Sequence, residues 1–249
     1  MALIQHIVDS IHDDAPVRDV RICIHASIVE SLRVGLCGHT QADQAYDVIK
    51  RQDVVANHGK LREFSAKDLS RYALSKLPIE ASVGIAAINS ILDVDWTKVH
   101  PESETEVVID KSRGKRVVMV GHFTFAERVR KVASELVLVG LEPGEGQLSL
   151  SEAPKVLPKA DVVIFSSNAI VNQSIEQHLN LTRNAAFVAI MGPSTIFSPI
   201  FFRYGVHALL GALIDDVETV IRHLSEGASL QHIPGLKQIA MYAKDYLGV

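Results

Sequence analysis

The side chains best suited to metal or acid-base chemistry follow two short apolar runs. His122 and Phe123 come directly after the run that ends at Gly121, and Glu142 follows the next run. Imidazole and carboxylate groups bind metal ions, and histidine exchanges a proton near neutral pH. His122 is therefore a candidate metal ligand or acid-base group, or else a loop histidine bonded to the backbone. Glu142 is a candidate ligand for a metal or for the hydroxyl groups of a small molecule, or else a solvated loop acid.

Hydroxyl and amide side chains follow the next two apolar runs. In loops at strand ends they bind carboxylate or phosphate groups, but they are also ordinary turn and cap residues. Another amide interrupts an apolar helical segment, where it either faces a cleft or lies near the helix end. These further ligand-binding candidates are Ser166, Ser167, Asn168, Asn172, the loop Gly192, Pro193, Ser194 and Thr195, and Asn89.

A dinucleotide fingerprint is only partly present. Glu142 follows Gly121 at close to the spacing, about 20 residues, of the acid that holds a nucleotide ribose. The segment after Gly121 lacks the second glycine that lets a pyrophosphate approach the backbone. The sequence also contains no GxSxG motif and no P-loop, so it gives no support to a hydrolase or a nucleoside triphosphatase.

Cys23 and Cys37 lie in two alternating segments, with His25 and His39 close by. The alternation predicts a hairpin in which both thiols point to the same face, away from the core. Such a group could bind a soft metal ion. The other interpretation is two reduced cysteines beside surface histidines.

Composition limits the class of protein. The chain has 249 residues, 47% of them hydrophobic and 22% charged, with 25 Lys and Arg against 29 Asp and Glu. This is globular composition, and the net charge of −4 with no basic run speaks against a nucleic-acid partner. No segment has the roughly 18 apolar residues of a membrane span, and the N-terminal segment does not resemble a secretory signal. Two cysteines indicate a reducing cytoplasm rather than a disulfide framework.

Two patterns of hydrophobicity divide the chain. Alternation from Val17 to Ile28 and from Leu32 to Cys37 predicts two strands, and a third is expected near 54–58. The segment from Ala81 to Leu92 is apolar on nearly every side, which predicts a buried helix in which Gly84 permits close approach. We therefore expect a small α+β domain over residues 1–95, followed by a polar connection over 96–114.

Residues 115–249 have a different pattern. Short apolar runs without alternation recur with helical segments between them, as in a doubly wound parallel sheet whose strands are covered on both faces. Ligands bind such sheets beyond the carboxyl ends of the strands. The five runs are Arg116–Gly121, Glu135–Gly140, Asp161–Ser166, Ala186–Gly192 and Val206–Gly211.

Four segments resemble the family described as putative heavy-metal chelation proteins: ASVGIAAINSIL, VVMVGHF, LPKADVVIFSSNAIVNQSIEQHL and GPSTIFSPIFFRYGVHALLG. The resemblance implies an enolase-N-terminal-like domain followed by a Rossmann-like domain, with a site in the cleft between them. The chain differs from the family pattern at Ser167–Ile170 and at Pro143–Gly146, both at predicted strand ends.

The residues and the resemblance together predict a cytoplasmic protein that binds or handles a heavy metal, or a metal chelate, in an interdomain cleft. The alternative is an enzyme that binds a nucleotide-like cofactor or a small anionic metabolite there without a metal. A divalent or heavy metal ion is the expected cofactor, and a small molecule or metal is the expected ligand. The sequence leaves open whether the chain is an enzyme and whether it forms a homo-oligomer.

Overall fold

In the part of the chain that the structure describes, the strands form two separate sheets, of three and eight strands, and the helices are short. The computed structural model describes residues 2–39, 53–141, 143–230 and 233–247. The strands are β1 (Asp19–Ile22), β2 (Ala26–Glu30), β3 (Val34–Gly38), β4 (Val99–His100), β5 (Arg116–Val120), β6 (Glu135–Gly140), β7 (Leu148–Ser149), β8 (Val162–Ser166), β9 (Phe187–Met191), β10 (Ala208–Ile214) and β11 (Leu236–Tyr242). The α-helices are α1 (Ala2–Asp9), α2 (Ala66–Ser70), α3 (Pro78–Ile91), α4 (Glu104–Ser112), α5 (Ala126–Arg130), α6 (Ala153–Val156), α7 (Asn168–Val171), α8 (Ile175–Leu179), α9 (Val217–Ser225) and α10 (Lys244–Leu247).

The larger sheet is parallel at its centre. Strands β6, β5, β8, β9 and β10 lie side by side in that order, and every pair among them is parallel. Along β5, Val118 and Val120 pack in one core cluster, whereas Val117 and Met119 pack in another. Both faces are therefore covered, which is what apolar runs without alternation require. The predicted parallel sheet is confirmed.

The strand order reverses between β5 and β8. From β5 the chain moves outward to β6, then returns to β8 and continues through β9 to β10 on the other side. The connections that leave β5 and β8 consequently run in opposite directions, and a crevice opens at the carboxyl ends of these two strands. This switch point places the segment after Gly121 beside Ser166.

The predicted connection over 96–114 contains structure that belongs to the larger sheet. Strand β4 pairs antiparallel with β11, which itself pairs antiparallel with β10. In α4, Val108 packs in the core beneath the sheet, whereas Glu106 and Asp110 are exposed. The exposed acids Glu106 and Asp110 thus give this segment a polar composition while they lie on the solvent side of an amphipathic helix.

The smaller sheet is a three-stranded antiparallel meander in the order β1, β2, β3. The prediction of one strand from Val17 to Ile28 is wrong, because the Cys23 N–H donates to the Ala26 carbonyl at 2.8 Å and closes a turn between β1 and β2. Residues 54–58 form turns rather than the expected third strand. The alternation of apolar and polar residues continues through the turn between β1 and β2, so it could not show that the strand is interrupted there.

The two cysteines lie on opposite faces of this sheet. Cys37 pairs with Ser27 across the strands and packs in the core beneath α3. Cys23 packs against the cluster that holds Leu36 and residues of α9. Successive residues of a strand point to opposite faces, so Leu36 and Cys37 diverge. The prediction that both thiols share one face is wrong.

Helix α3 packs very closely against its neighbours. A Cβ on Gly84 would lie 1.8 Å from the Ala73 nitrogen, and a Cβ on Gly35 of β3 would lie 2.0 Å from the Ala86 carbonyl oxygen. Only glycine fits at either contact, as the sequence predicts for Gly84. Although α3 is strongly apolar, it has 14 residues, and no helix in the described part of the chain is long and apolar enough to cross a membrane.

Glu104, the first residue of α4, is a buried acid. Its side chain is 8% exposed, and burial raises the pKa of its carboxyl from 4.5 to about 7. Between these two pH values the folded protein holds a proton that the unfolded chain has lost. Stability therefore falls as the pH rises through this window, and the penalty is complete above the folded-state pKa.

We expect Glu104→Gln to raise the free energy of unfolding by about 3 kcal/mol above pH 7.5 and to change it little near pH 4. Urea unfolding of both proteins across this range measures the effect. Glu106→Gln is the matched control on the same helix, since Glu106 is exposed and pairs with Arg128. Parallel pH profiles for the wild type and Glu104→Gln would contradict the buried-acid assignment.

Candidate functional site

The ends of β5 and β8 meet at a glycine. Gly121 has a φ of +126°, and a Cβ there would lie 2.4 Å from the Ser166 Cβ. Only glycine allows this backbone conformation and this approach. The chain then leaves the sheet with His122 exposed to solvent, one residue beyond the contact between the strands.

An aromatic ring and polar groups accompany His122. Phe123 is half-buried, lies against Gly121 and makes an edge contact with Phe125 at a centroid distance of 5.8 Å. On the β8 side, the Asn168 N–H donates to Ser166 Oγ at 3.3 Å. The Asn168 side chain is half-buried. An imidazole and an aromatic ring therefore follow β5, while a hydroxyl and an amide lie at the end of the neighbouring β8.

Ser167 and Ser194 lie instead within a buried seam between the two sheets. The Ser194 N–H donates to Ser167 Oγ at 3.3 Å, and Ser194 Oγ accepts from the Gly38 N–H of β3 at 2.8 Å. Both serines are at most 1% exposed. A Cβ on Gly192 would lie 2.6 Å from Ser167 Oγ, so the loop also needs its glycine. These hydroxyls tie β3 to the loops after β8 and β9.

Thr195, Pro193 and Asn89 line a narrow crevice of about 40 Å³ between the sheets. Thr195 Oγ1 donates to the Leu210 carbonyl at 2.8 Å, and Asn89 Nδ2 donates to the Leu36 carbonyl at 3.1 Å. The volume is close to that of a single water molecule. Thr195 thus bonds to β10 of the larger sheet and Asn89 to β3 of the smaller one, so both side chains already satisfy backbone carbonyls.

The remaining candidates do not join this group. Asn172 is exposed, and its Oδ1 accepts from the Ser174 N–H at 3.1 Å, as a turn residue does. Glu142 lies outside the described residues. Burial raises the pKa of the Cys23 thiol, which disfavours the thiolate that binds metals. Among the described residues, no three His, Cys, Asp or Glu side chains cluster as a metal site.

Sequence reasoning missed a buried histidine and a cavity. His178 is 3% exposed and stacks on Phe165, and burial lowers its pKa. His178 Nδ1 and Ser174 Oγ, one helical turn apart, are buried without a hydrogen-bond partner. A cavity of about 580 Å³ lies at the amino ends of β9 and β10, opposite the switch point. Its residues are distant in sequence, so only the sheet order could have revealed it.

Two family models match the chain, and both are described as putative heavy-metal chelation. One, DUF364, covers residues 104–242, and the other, DUF4213, covers residues 4–92. The chain belongs to the DUF364 family. An uncharacterized protein of Methanocaldococcus jannaschii is similar, with 22% identity over 158 residues, which make up 61% of this chain and 61% of that protein's length.

Two crystal structures of DUF364 proteins with unknown function have the same fold. That from Desulfitobacterium hafniense has a TM-score of 0.85 at 21% identity and covers 97% of this chain and 98% of its own. That from Pyrococcus horikoshii has a TM-score of 0.78 at 18% identity, with coverage of 96% and 98%. The antiparallel sheet and the mostly parallel sheet are thus a shared DUF364 architecture.

We expect Ser194→Ala to lower the free energy of unfolding by about 1–3 kcal/mol, because the Gly38 N–H would remain buried without an acceptor. Urea unfolding measures the loss, and amide hydrogen exchange at Gly38 should become faster. Ser229→Ala, at an exposed serine, is the control and should stay within about 0.5 kcal/mol of wild type. Equal stability of the two variants would show that the bond is unimportant.

Proposed function

We propose that this DUF364 protein binds a metal ion held by a small organic chelator, at the switch point between β5 and β8. The observation that carries the proposal is the exposed His122, held at the carboxyl end of β5 where Gly121 meets Ser166. Its imidazole would ligate the metal. The family description, putative heavy-metal chelation, agrees with this chemistry.

The groups around His122 favour a chelate over a bare ion. One imidazole fills one position, whereas heavy divalent metals take four or more ligands. An organic chelator supplies the others and brings apolar surface that the half-buried Phe123 could cover. Asn168 and Ser166 add an amide and a hydroxyl that hydrogen-bond polar atoms of a chelator.

We further propose that the site lies between an N-terminal unit, residues 1–95, and a C-terminal unit, residues 115–249, and that Glu142 contributes a carboxylate. The buried seam supports the first part, since it seats β3 against the loops after β8 and β9. Glu142 follows Leu141 directly after β6, the strand next to β5. We also propose a cytoplasmic location, which the two reduced cysteines, Cys23 and Cys37, support.

The alternative ligand is a nucleotide-like cofactor at the same switch point. Phosphate groups bind where a helix presents free backbone N–H groups. Here the helices that follow β5 and β8 have five and four residues, so each provides little of the aligned dipole that stabilises an anion. The short helices thus offer little to a phosphate group, whereas the His122 imidazole and the Phe123 ring suit a metal chelate.

We expect the 1:1 complex of Cu²⁺ with phenanthroline to bind the wild-type protein, and His122→Ala to weaken binding on the order of tenfold or more. Isothermal titration measures the affinity. Phe123→Leu should reduce the preference for this complex over Cu²⁺ iminodiacetate, which lacks an aromatic ring. His12→Ala, at an exposed histidine of the N-terminal unit, is the matched control and should bind like wild type.

Three results would contradict the proposal. Unchanged affinity of His122→Ala for the copper complex would show that His122 does not bind the metal. Equal losses in His122→Ala and His12→Ala would indicate nonspecific surface coordination. Binding of adenosine diphosphate that persists in His122→Ala, without binding of the copper complex, would favour the nucleotide-like alternative.

A further inference from the structure

A cavity lies at the amino ends of β9 and β10, which is the opposite end of the parallel strands from the switch point. It is open to solvent on one side and has a volume of about 580 Å³ beside α4, at the start of β9 and the end of β11. This volume is within the range of small-molecule sites, about 300–1,000 Å³. Phe187 and Tyr242 contribute aromatic rings, and the His207 ring lies 6.1 Å from that of Phe187. The cavity thus has flat apolar surfaces suited to a planar ligand.

The acids that border this cavity are already engaged. The Tyr242 hydroxyl donates to Glu102. Glu106 pairs with Arg128 at 2.7 Å, and Asp110 lies 3.7 Å from the Arg113 guanidinium. Arginines thus offset the charges of Glu106 and Asp110, whereas Glu102 keeps its negative charge because the Tyr242 hydroxyl is neutral. An anionic ligand would therefore bind at the lysines of the cavity, away from Glu102.

The two lysines of the cavity lie over aromatic rings. Lys111 Nζ lies 5.6 Å from the centroid of the Phe187 ring, and Lys244 Nζ lies 5.2 Å from that of Tyr242. Within the described part of the chain, neither lysine forms an ion pair with a carboxylate. Each ammonium group is held over an aromatic ring that also faces the cavity. The cavity therefore has two sites, at Lys111 and at Lys244, where an ammonium group and an aromatic ring lie next to each other.

We propose that this cavity binds a small planar organic anion, with an aromatic carboxylate as the simplest member of the class. The ammonium groups of Lys111 and Lys244 pair with its carboxylate, and the rings of Phe187 and Tyr242 pack against its plane. The site is independent of the chelate site, since it lies at the other end of the parallel strands.

The His207 ring forms a fixed wall of this site. Its Nδ1 accepts from the Val188 N–H at 3.1 Å, and its own backbone N–H donates to the Val188 carbonyl at 2.7 Å. Burial lowers the pKa of the ring, and the lowered pKa keeps the imidazole neutral at pH 7. Neither bond depends on a ligand, so the surface that meets the ligand's plane is formed in advance.

Benzoate is the probe, and its neutral analogue benzamide and inorganic phosphate are the comparisons. We expect benzoate to bind with a dissociation constant on the order of 1 mM, as a ligand of this size allows, and to shift the amide resonances of Phe187, His207 and Tyr242 in a titration by NMR. Lys111→Met and Lys244→Met should each weaken binding about tenfold, because methionine keeps an apolar side chain and removes the charge.

Lys98→Met is the matched control, since Lys98 also lies over an aromatic ring, that of Tyr246 at 4.7 Å, but outside the cavity. It should bind benzoate like wild type. Three results would overturn the proposal: no shifts at the cavity residues in millimolar benzoate, benzamide binding as tightly as benzoate, or phosphate binding as tightly as benzoate. Equal losses in Lys98→Met and the two cavity variants would also overturn it.

Discussion

A pair of buried hydrogen bonds sets the relation between the two sheets. Ser167, at the end of β8, accepts from the backbone of Ser194, and the Ser194 hydroxyl accepts from the backbone of Gly38 in β3. The three groups have little or no contact with water, so breaking either bond would leave a buried polar atom unsatisfied. This seam places the smaller sheet over the carboxyl ends of β8 and β9. The loop from Gly192 to Thr195 consequently belongs to the interface between the sheets.

The seam covers the ends of β8 and β9, whereas the candidate site residue at the end of β5 remains exposed. His122 leaves the sheet there, directly after a glycine that the close approach of Ser166 requires. At the opposite ends of the strands, Lys111 and Lys244 lie over rings that line a separate cavity. The two ends of the parallel strands thus carry different chemical groups. The carboxyl ends carry the His122 imidazole, and the amino ends carry two lysines that each lie over an aromatic ring.

The sequence predicted the parallel sheet well, because a strand covered on both faces must be apolar at successive positions, as Val117 to Val120 are. It also identified Gly84, whose place in an apolar helix signals close packing. It failed in the N-terminal sheet, where the alternation around Cys23 continues through a turn. The resulting face assignment placed the two thiols together, whereas the turn between β1 and β2 separates them.

Site residues were harder to predict than strands. Serine and asparagine serve loops, caps and ligands alike, so the sequence could not show that Ser194 bonds to Gly38, which is far away in the chain. The residues of the second cavity come from α4, β9 and β11, and only the folded sheet brings them together. The placement of His122 just beyond a strand end was predictable because an apolar run followed by glycine is a local pattern that needs no knowledge of distant contacts.

The position of the metal in a crystal of the protein with the Cu²⁺ phenanthroline complex tests the account most directly. An anomalous difference map locates copper independently of any assumption about the ligands. The account predicts a peak at about 2.0–2.1 Å from an imidazole nitrogen of His122, with the organic ligand next to Phe123. A copper peak remote from the ends of β5 and β8 would contradict the proposed site, even with the fold unchanged.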